Sequence, residues 1–346
     1  MKILIATEAW DPQVNGVVRT LKMTSRELMR LGHDVLIVNP SLFRSIPCPT
    51  YPEIRLPLVT RATVRKVIDD FRPDVVHIAT EGPLGWAIRG VAIDRGWNFS
   101  TGYHSRFPEY VQMRTGLPVG LSYALLRKFH NAGVATMVPT PAMLATLQER
   151  GFKRPVIWSR GVDGEVFPAK GQRLVRTDRP VFLYVGRLAV EKSVEDFLSL
   201  DLPGEKWVAG EGPSGTELRR RFPAARWFGL LSGMELARLY RSADVMVFPS
   251  KTDTFGLVMI ESMACGTPVA ALPVTGPIDV LRDPRGGVMN PDLRTACLAA
   301  LKLDRREVAD YGGRYTWAAS TQQFLAAIQP IHGRISAGLA VGVSAS

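Results

Sequence analysis

Short apolar runs rich in β-branched residues alternate along this chain with longer segments whose apolar residues recur at helical spacing. Parallel strands are buried on both faces and carry such continuous apolar runs, and each needs a crossover helix to reach the next strand. The pattern therefore predicts an α/β protein with parallel sheets. The predicted strands are Ile3–Ala6, Val35–Val38, Val75–Ile78, Thr136–Val138, Val181–Val185, Lys206–Val208, Val245–Phe248 and Val269–Ala271.

The chain length of 346 residues predicts two domains, at about 150 residues each. Residues 164–180 contain Gly164, Pro168, Gly171 and Pro180 and show no apolar period, which is typical of a linker. We predict a first domain at residues 1–165 and a second at 178–312. A last amphipathic helix follows within 313–330, and residues 331–346 are predicted to form a mobile tail.

The charge is positive and unevenly distributed. The chain has 43 Lys and Arg against 32 Asp and Glu, a net charge of +11, and residues 1–160 alone contain 21 of these basic residues and 12 of the acidic ones. This excess predicts anionic partners for the first domain. A basic nucleic-acid-binding protein is the alternative, but basic residues are not interleaved with aromatic ones, so no nucleic acid is expected.

Cysteine usage and hydropathy predict the compartment. The three cysteines are far apart and form no C-x-x-C pair, which argues against a disulfide framework and a zinc site. The start of the chain lacks the apolar region of a signal peptide, and no apolar run reaches the length of about 20 residues that spans a bilayer. We expect an intracellular protein.

Gly210, Gly212 and Gly215 match a G-x-G-x-x-G spacing directly after a predicted strand. This spacing is typical of dinucleotide-binding turns, but the ribose-binding acid expected about twenty residues later is absent. The glycines therefore fit a tight strand-to-helix turn, or a turn that borders a nucleotide.

Two further segments contain residues suited to a nucleotide sugar. Arg187 and Lys192 follow a strand end at Gly186 and begin a helix, an arrangement that suits a diphosphate or, alternatively, a solvated helical turn with Glu191 as partner. Asp253 and Glu261 lie eight residues apart, on a loop and the helix that follows it. Asp253 is suited to sugar hydroxyls and Glu261 to a ribose diol. The N–H groups of Phe255, Gly256, Leu257 and Val258 would face an anion.

Together these residues resemble the retaining, nucleotide-sugar-dependent glycosyltransferases of family 4. The family's E-x7-E element corresponds to Asp253 and Glu261, with aspartate in place of the first glutamate. Its G-R-x-x-x-E-K element corresponds to residues 186–192, and its N-terminal glycine loop to residues 12–17, which include Gly16. Asp253-Thr254-Phe255-Gly256, Asn15-Gly16-Val17, Arg160-Gly161-Val162-Asp163 and residues 103–110 also resemble the subgroup of sulfoquinovosyl, glucuronosyl and mannosyl transferases that act on diacylglycerol lipids.

The resemblance implies the GT-B fold, in which two Rossmann-like domains face each other across a cleft and the C-terminal helix crosses back to the first domain. The first domain would bind the acceptor and the second the donor. The implied catalytic residues are His104, Asp253, Arg187 and Lys192. The donor would be bound by Gly16, Arg187, Lys192, Gly210, Asp253, Phe255, Gly256, Leu257, Val258 and Glu261, and the acceptor by Tyr103, Arg106 and Tyr110.

The expected activity is metal-independent, retaining transfer of a hexose from a nucleoside diphosphate sugar to a diacylglycerol-type membrane lipid. No cofactor is expected, and a UDP-sugar is favoured over GDP-mannose. No D-x-D motif occurs. A GDP-mannose-dependent mannosyltransferase, another acceptor and a sugar-nucleotide epimerase are the alternatives. Arg106 stands where the subgroup often has a neutral residue, which favours an acidic donor such as UDP-glucuronate or an anionic acceptor.

A lipid acceptor implies attachment to the anionic cytoplasmic face of the membrane, where each basic residue contributes about 1 kcal/mol. We predict docking through the first domain without a membrane span. The residues expected to contact the membrane are Arg61, Arg65, Arg72, Arg114, Arg127 and Lys128, the last three beside the apolar segment Leu117–Leu126.

Overall fold

The computed structural model describes residues 1–13, 15–48 and 51–332, with the side chains of residues 51–54, 110, 113 and 114 excepted. The first domain contains strands β1 (Lys2–Ala6), β2 (Asp34–Val38), β3 (Ser45–Cys48), β4 (Tyr51–Pro57), β5 (Val75–Ile78), β6 (Ser100–Gly102), β7 (Ala135–Val138) and β8 (Pro155–Ile157). Its helices are α1 (Gly16–Arg30), α2 (Arg61–Phe71), α3 (Pro83–Asp94), α4 (Phe107–Thr115), α5 (Val119–His130) and α6 (Pro141–Glu149).

The second domain has the same alternation. Its strands are β9 (Val181–Val185), β10 (Glu205–Ala209), β11 (Arg226–Trp227), β12 (Val245–Phe248), β13 (Val269–Ala271) and β14 (Gly287–Met289). Its helices are α7 (Val194–Leu198), α8 (Gly215–Arg221), α9 (Gly233–Ser242), α10 (Leu257–Ala264), α11 (Pro277–Val280), α12 (Leu293–Ala300) and α13 (Arg305–Gly312), and α14 (Trp317–Ala327) follows them.

Each domain is built on a parallel sheet. Within the described residues, the strand order is β2-β1-β5-β6-β7-β8 in the first sheet and β11-β10-β9-β12-β13-β14 in the second. The central strand β1 pairs in parallel with both β2 and β5, and β9 pairs in parallel with β10 and β12. The prediction of two Rossmann-like halves is confirmed. The strands β8 and β14 and the β3–β4 hairpin were not predicted, since they are short or lack a run of β-branched residues.

Both faces of each sheet are covered, which explains the uninterrupted apolar strands. In β1, Ile3 and Ile5 pack into one hydrophobic layer of the first domain, while Leu4 and Ala6 pack into the layer on the opposite face. The residues of β9 alternate in the same way between two layers of the second domain. Successive strand residues point to opposite faces, so burial of both faces requires apolar residues at every position.

The last helix α14 returns to the first domain, as expected for the crossover helix. It begins after Thr316, whose side chain accepts a hydrogen bond from the N–H of Ala319. Its residues Phe324 and Ile328, the latter just past the helix end, are buried in the same layer as Ile3 and Ile5. Burial in a core that belongs to the first domain therefore holds the two ends of the chain together.

Two segments differ from the expectation of loose structure. In the predicted linker, Phe167 is buried in the core of the second domain, and Arg241 donates hydrogen bonds to the carbonyls of Pro168 and Gln172. At the start of the predicted tail, the N–H of Ile331 donates to the carbonyl of Asp74 (2.9 Å). Residues 333–346 lie outside the described part of the chain.

His77, in strand β5, is a core residue of the first domain. Its side chain is fully buried, its Nδ1 lies 2.9 Å from Ser100 Oγ, and its ring contacts the edges of Trp158 and Phe324. Burial, with a contribution from the positive charge of Arg160, lowers the pKa of His77 from 6.5 to about 3.

This burial makes the fold sensitive to acid. Below pH 6.5 the unfolded chain protonates His77 and the folded protein does not, so stability falls as the pH is lowered from 6.5 towards about 3. We expect His77→Leu to reduce that dependence by up to about 1.4 kcal/mol per pH unit. Urea unfolding at two pH values in this window measures the effect. His332→Leu is the control because His332 is exposed, and an equal pH dependence in wild type and His77→Leu would contradict the prediction.

Candidate active site

Loops from the carboxyl ends of β1, β6, β9 and β12 meet between the two domains. Thr254 Oγ1, after β12, donates a hydrogen bond to the carbonyl oxygen of His104, after β6 (2.8 Å). A Cβ atom added to Gly16 would lie 3.5 Å from the side chain of Leu257. Nearby, the N–H of Ala142 donates to a carboxylate oxygen of Asp279 across the same boundary (3.0 Å). The structure thus brings predicted site residues from four separate loops to one cleft.

The loop after β9 places Lys192 against Asp253. The Lys192 ammonium and the Asp253 carboxylate form an ion pair, and both side chains are largely buried. The hydroxyl of Thr252 donates to the carbonyl of Glu191 (3.3 Å), which ties the loop after β12 to the loop after β9. Arg187 lies in the same loop and is half-buried. Cations beside free helix N–H groups can bind the oxygens of a diphosphate.

The glycines at 210 and 212 let two backbone segments pack together. A Cβ on Gly210 would lie 1.9 Å from the carbonyl oxygen of Gly186, and the N–H of Leu188 donates to the carbonyl of Glu211 (3.0 Å). Residues 226–231, at the end of β11, contain no acid that could hold a ribose. The close packing accounts for the glycine spacing as a tight turn that borders the loop containing Arg187.

Glu261 lies in the second turn of α10 and is 2% exposed. One of its oxygens accepts a hydrogen bond from Arg19 of α1 (2.5 Å), and the other accepts one from the hydroxyl of Tyr240 (3.4 Å). Burial raises the pKa of Glu261, and the charge of Arg19 opposes that rise. The carboxylate predicted to bind a ribose is therefore bound to a cation of the first domain.

Arg19 is a site residue that the sequence reasoning missed. It lies one helical turn after Gly16, and its guanidinium also lies over the ring of Phe167, 5.0 Å from the centroid. Residues three apart on a helix share a face, so the position of Arg19 relative to Gly16 was the available signal. The side chain of Asn15 accepts hydrogen bonds from the first turn of the same helix, at Val17 and Val18.

His104 stands at the carboxyl edge of the first sheet, directly beneath the second domain. Its Nδ1 lies 3.0 Å from a guanidinium nitrogen of Arg160, and its Nε2 is buried without a hydrogen-bond partner among the described residues. Burial, followed by the nearby charge of Arg160, keeps the pKa of His104 well below its usual value. The imidazole is therefore neutral at neutral pH. Arg160 lies in the Arg160-Gly161-Val162-Asp163 motif, and no role was predicted for it from the sequence.

The residues predicted to bind the acceptor are not equally placed. Tyr103 is fully buried in a hydrophobic cluster, so the structure does not bring its ring to the surface of the cleft. Arg106 forms an ion pair with Glu109 of α4 (2.8 Å), which also accepts a hydrogen bond from Tyr123 (2.9 Å). The side chain of Tyr110 lies outside the described part of the structure.

Sequence comparison agrees with this geometry. Residues 14–166 match the profile of Glycosyltransferase Family 4, and residues 179–303 match that of Glycosyl transferases group 1. A GDP-mannose-dependent alpha-mannosyltransferase of Mycolicibacterium smegmatis is 32% identical, over 84% of each chain. A sulfoquinovosyl transferase of Arabidopsis thaliana is 29% identical, over 91% of this chain and 71% of that protein. An alpha-monoglucosyldiacylglycerol synthase of Acholeplasma laidlawii is 26% identical, over 78% and 79% of the two chains.

Structure comparison supports the same fold. A sucrose-phosphate synthase from Thermosynechococcus elongatus superimposes with a TM-score of 0.73 and 19% identity, over 94% of this chain and 97% of that one. The matched residues cover both halves of the protein and include the loops that meet in the cleft. The chain therefore belongs to glycosyltransferase family 4 and is a glycosyltransferase with the GT-B fold.

Proposed function

We propose that this enzyme transfers a hexose from a nucleoside diphosphate sugar to a diacylglycerol-type lipid at the cytoplasmic membrane surface. The observation that carries the proposal is a set of exposed apolar residues on and before α4 and α5 of the first domain, the domain proposed to bind the acceptor. Two relatives support it by name, the sulfoquinovosyl transferase and the alpha-monoglucosyldiacylglycerol synthase.

The second domain binds the donor in this proposal. Arg187 and Lys192 contact the diphosphate, and their positive charges offset the charge that develops on the departing phosphate. When the donor binds, Asp253 releases Lys192 and accepts hydrogen bonds from sugar hydroxyls. Glu261 likewise releases Arg19 and accepts hydrogen bonds from the ribose diol. The acceptor oxygen forms a bond to the anomeric carbon on the face from which the phosphate leaves. The phosphate takes the proton of the acceptor hydroxyl.

The acceptor reaches the cleft across α4 and α5. In α5, Tyr123, Leu126 and Phe129 face the core, whereas Leu121 and Leu125 are 65% and 53% exposed. Leu117 and Phe107 add to this surface, and each is 51% exposed. The apolar surface consists of Phe107, Leu117, Leu121 and Leu125. Leu117, Leu121 and Leu125 recur at intervals of four residues, and exposed apolar residues on a positively charged domain are typical of a membrane contact.

Basic residues lie at the end of the same helix. Arg127 and Lys128 are exposed in the last turn of α5. The positive charges of Arg61 and Arg65 are partly neutralised, because both side chains form ion pairs with the carboxylate of Asp94. The sequence did not indicate this pairing. We therefore assign the membrane contact to α5 and the residues before it rather than to the face of α2. No helix in the described residues is long and apolar enough to span a bilayer.

The donor sugar is proposed to be an uncharged hexose. Glu109 occupies the guanidinium of Arg106, so an acidic sugar would have to compete with a carboxylate on the same helix. A GDP-mannose-dependent mannosyltransferase is the second candidate, supported by the relative that is 32% identical. Incubation with diacylglycerol vesicles and UDP-glucose, UDP-galactose, UDP-glucuronate, UDP-sulfoquinovose or GDP-mannose in parallel tests both candidates. A lipid labelled from UDP-glucose, UDP-galactose or GDP-mannose supports transfer of an uncharged hexose to lipid. A label only from UDP-glucuronate or UDP-sulfoquinovose contradicts the uncharged donor, and transfer only to soluble acceptors contradicts the lipid acceptor.

Loss of a diphosphate cation should reduce turnover strongly. We expect Arg187→Ala and Lys192→Ala each to lower kcat about a hundredfold, as when one preorganised donor is removed from an active site. Initial rates with the active donor measure the effect. Lys251→Ala is the matched control, because Lys251 forms an exposed ion pair with Asp196 in the same domain. Near-normal turnover in both active-site variants would rule out the assigned role.

The proposed charge compensation by protein cations also predicts the response to a chelator. We expect turnover to persist in excess EDTA, since the cations that face the diphosphate are Arg187 and Lys192. Rates with and without EDTA, each compared with a magnesium-supplemented sample, give the answer. Complete loss of activity in EDTA that magnesium restores would refute the metal-independent mechanism.

The apolar surface should be needed for membrane binding and not for the donor site. We expect the double variant Leu121→Glu, Leu125→Glu to reduce co-sedimentation with anionic vesicles at least severalfold while binding of the donor nucleotide is retained. Leu31→Glu is the control, because Leu31 is 45% exposed at the end of α1 remote from the cleft. If vesicle binding is unchanged in the double variant, or equal on neutral and anionic vesicles, the docking surface is wrongly assigned.

A further inference from the structure

Arg160 is a buried cation at the point where the chain leaves the first domain. It is 6% exposed, and its guanidinium lies over the ring of Trp158, 4.9 Å from the centroid. One terminal nitrogen donates hydrogen bonds to the carbonyls of Trp158 (2.5 Å) and Ser159 (3.1 Å). The other lies 3.0 Å from Nδ1 of His104. The guanidinium is therefore fixed in position by two backbone oxygens and a ring.

No carboxylate neutralises this cation. Among the residues that the structure describes, Arg160 hydrogen-bonds only to the two carbonyls and to His104, and it has no carboxylate partner. Burial lowers its pKa to about 9, so it remains protonated at neutral pH. A buried charge without a counter-ion is costly, and proteins retain one where it has a specific task. Of these contacts, only the one with His104 involves a group that can gain or lose a proton near neutral pH.

The contact determines which nitrogen of His104 carries the proton. Arginine can only donate hydrogen bonds, so Nδ1 of His104 must be the acceptor and must be unprotonated. In a neutral imidazole the proton is then on Nε2. The charged and titratable groups that act on this ring are Arg160, His77 and His130, and all of them disfavour a second proton.

The surroundings of His104 hold the ring in this orientation. A Cβ atom on Gly102 would lie 2.6 Å from Nε2, so the absence of a side chain there makes room for the imidazole. The carbonyl of His104 is fixed by Thr254 of the second domain, and the ring contacts the edge of Trp158. The Nε2–H group is left buried and without a partner in the described residues. An unsatisfied donor at the carboxyl edge of the first sheet suits an oxygen of the substrate.

We infer that Arg160 is a positioning residue that holds His104 as the neutral Nε2–H tautomer, so that His104 donates a hydrogen bond to the substrate and does not act as a base. The role of His104 at the substrate rests on the proposed function. The tautomer itself does not, because it follows from the contact between Arg160 and Nδ1. Arg160 acts through His104 and does not touch the substrate.

The tautomer can be observed directly in the full-length protein without any ligand. Two-bond proton–nitrogen spectra of protein with ¹⁵N-labelled histidine distinguish a protonated from an unprotonated ring nitrogen, and loss of a signal in His104→Gln identifies this residue. We expect unprotonated Nδ1 and protonated Nε2 in the wild type. We expect Arg160→Met to give mixed tautomers, and Arg160→Lys to retain the wild-type pattern in part. A protonated Nδ1 in the wild type would overturn the inference, even if no variant folds.

Kinetics provide the second readout. With the donor that is active in the vesicle assay, we expect Arg160→Met to lower kcat roughly tenfold to hundredfold, while KM for the donor changes little. Arg160→Lys should recover part of the loss. Arg154→Met is the matched control, because Arg154 also donates to two backbone carbonyls of the first domain, those of Asn131 and Gly133.

The two measurements separate failure of the inference from failure of the proposed function. If the enzyme is inactive with every donor in the panel, the proposed function fails. The spectra still test the tautomer of His104, because they need no donor. An unchanged tautomer and an unchanged kcat in Arg160→Met would show that Arg160 has only a structural role.

Discussion

The parallel direction of the strands in both main sheets determines where the chemistry of this protein can be. In a parallel sheet all carboxyl ends lie on one edge, and the loops that leave this edge are those that can form a ligand site. The two sheets present these edges to each other. Gly16, His104, Lys192 and Asp253, which are far apart in sequence, each follow a strand on this edge and therefore meet in one cleft.

Charge pairing at the cleft is the second constraint. Lys192 pairs with Asp253, and Arg19 pairs with Glu261 across the domain boundary. Each carboxylate proposed to bind the donor is thus already held by a cation. In the proposed donor site, the diphosphate of a nucleotide sugar would take the place of Asp253 beside Lys192, and its hydroxyls would take the place of the cations beside the two carboxylates. Such an exchange avoids leaving a buried charge without a partner, which is the costly alternative.

Some elements of the fold could be predicted from the sequence, and others could not. The strands Val181–Val185 and Val245–Phe248 were predicted with their observed bounds, because burial on both sheet faces leaves a strong local pattern. The strand Pro155–Ile157 was not, since three residues carry no usable period and only pairing with β7 makes them a strand. The pairing of Arg61 with Asp94 was not predicted, because Asp94 belongs to another helix and the two residues meet only in the tertiary structure.

The sequence by itself determined the α/β class, the alternation of strands and helices, and the residue types at the ends of the strands, because these depend on local periodicity and on motif spacing. Only the tertiary structure decided what those residues contact. The contact of Glu261 with Arg19 was not predicted, and neither was the contact of Arg160 with His104. Both contacts join segments more than fifty residues apart. Local patterns cannot encode such pairs, since the distance between two side chains is set by how the sheets, the loops and the returning helix α14 pack together.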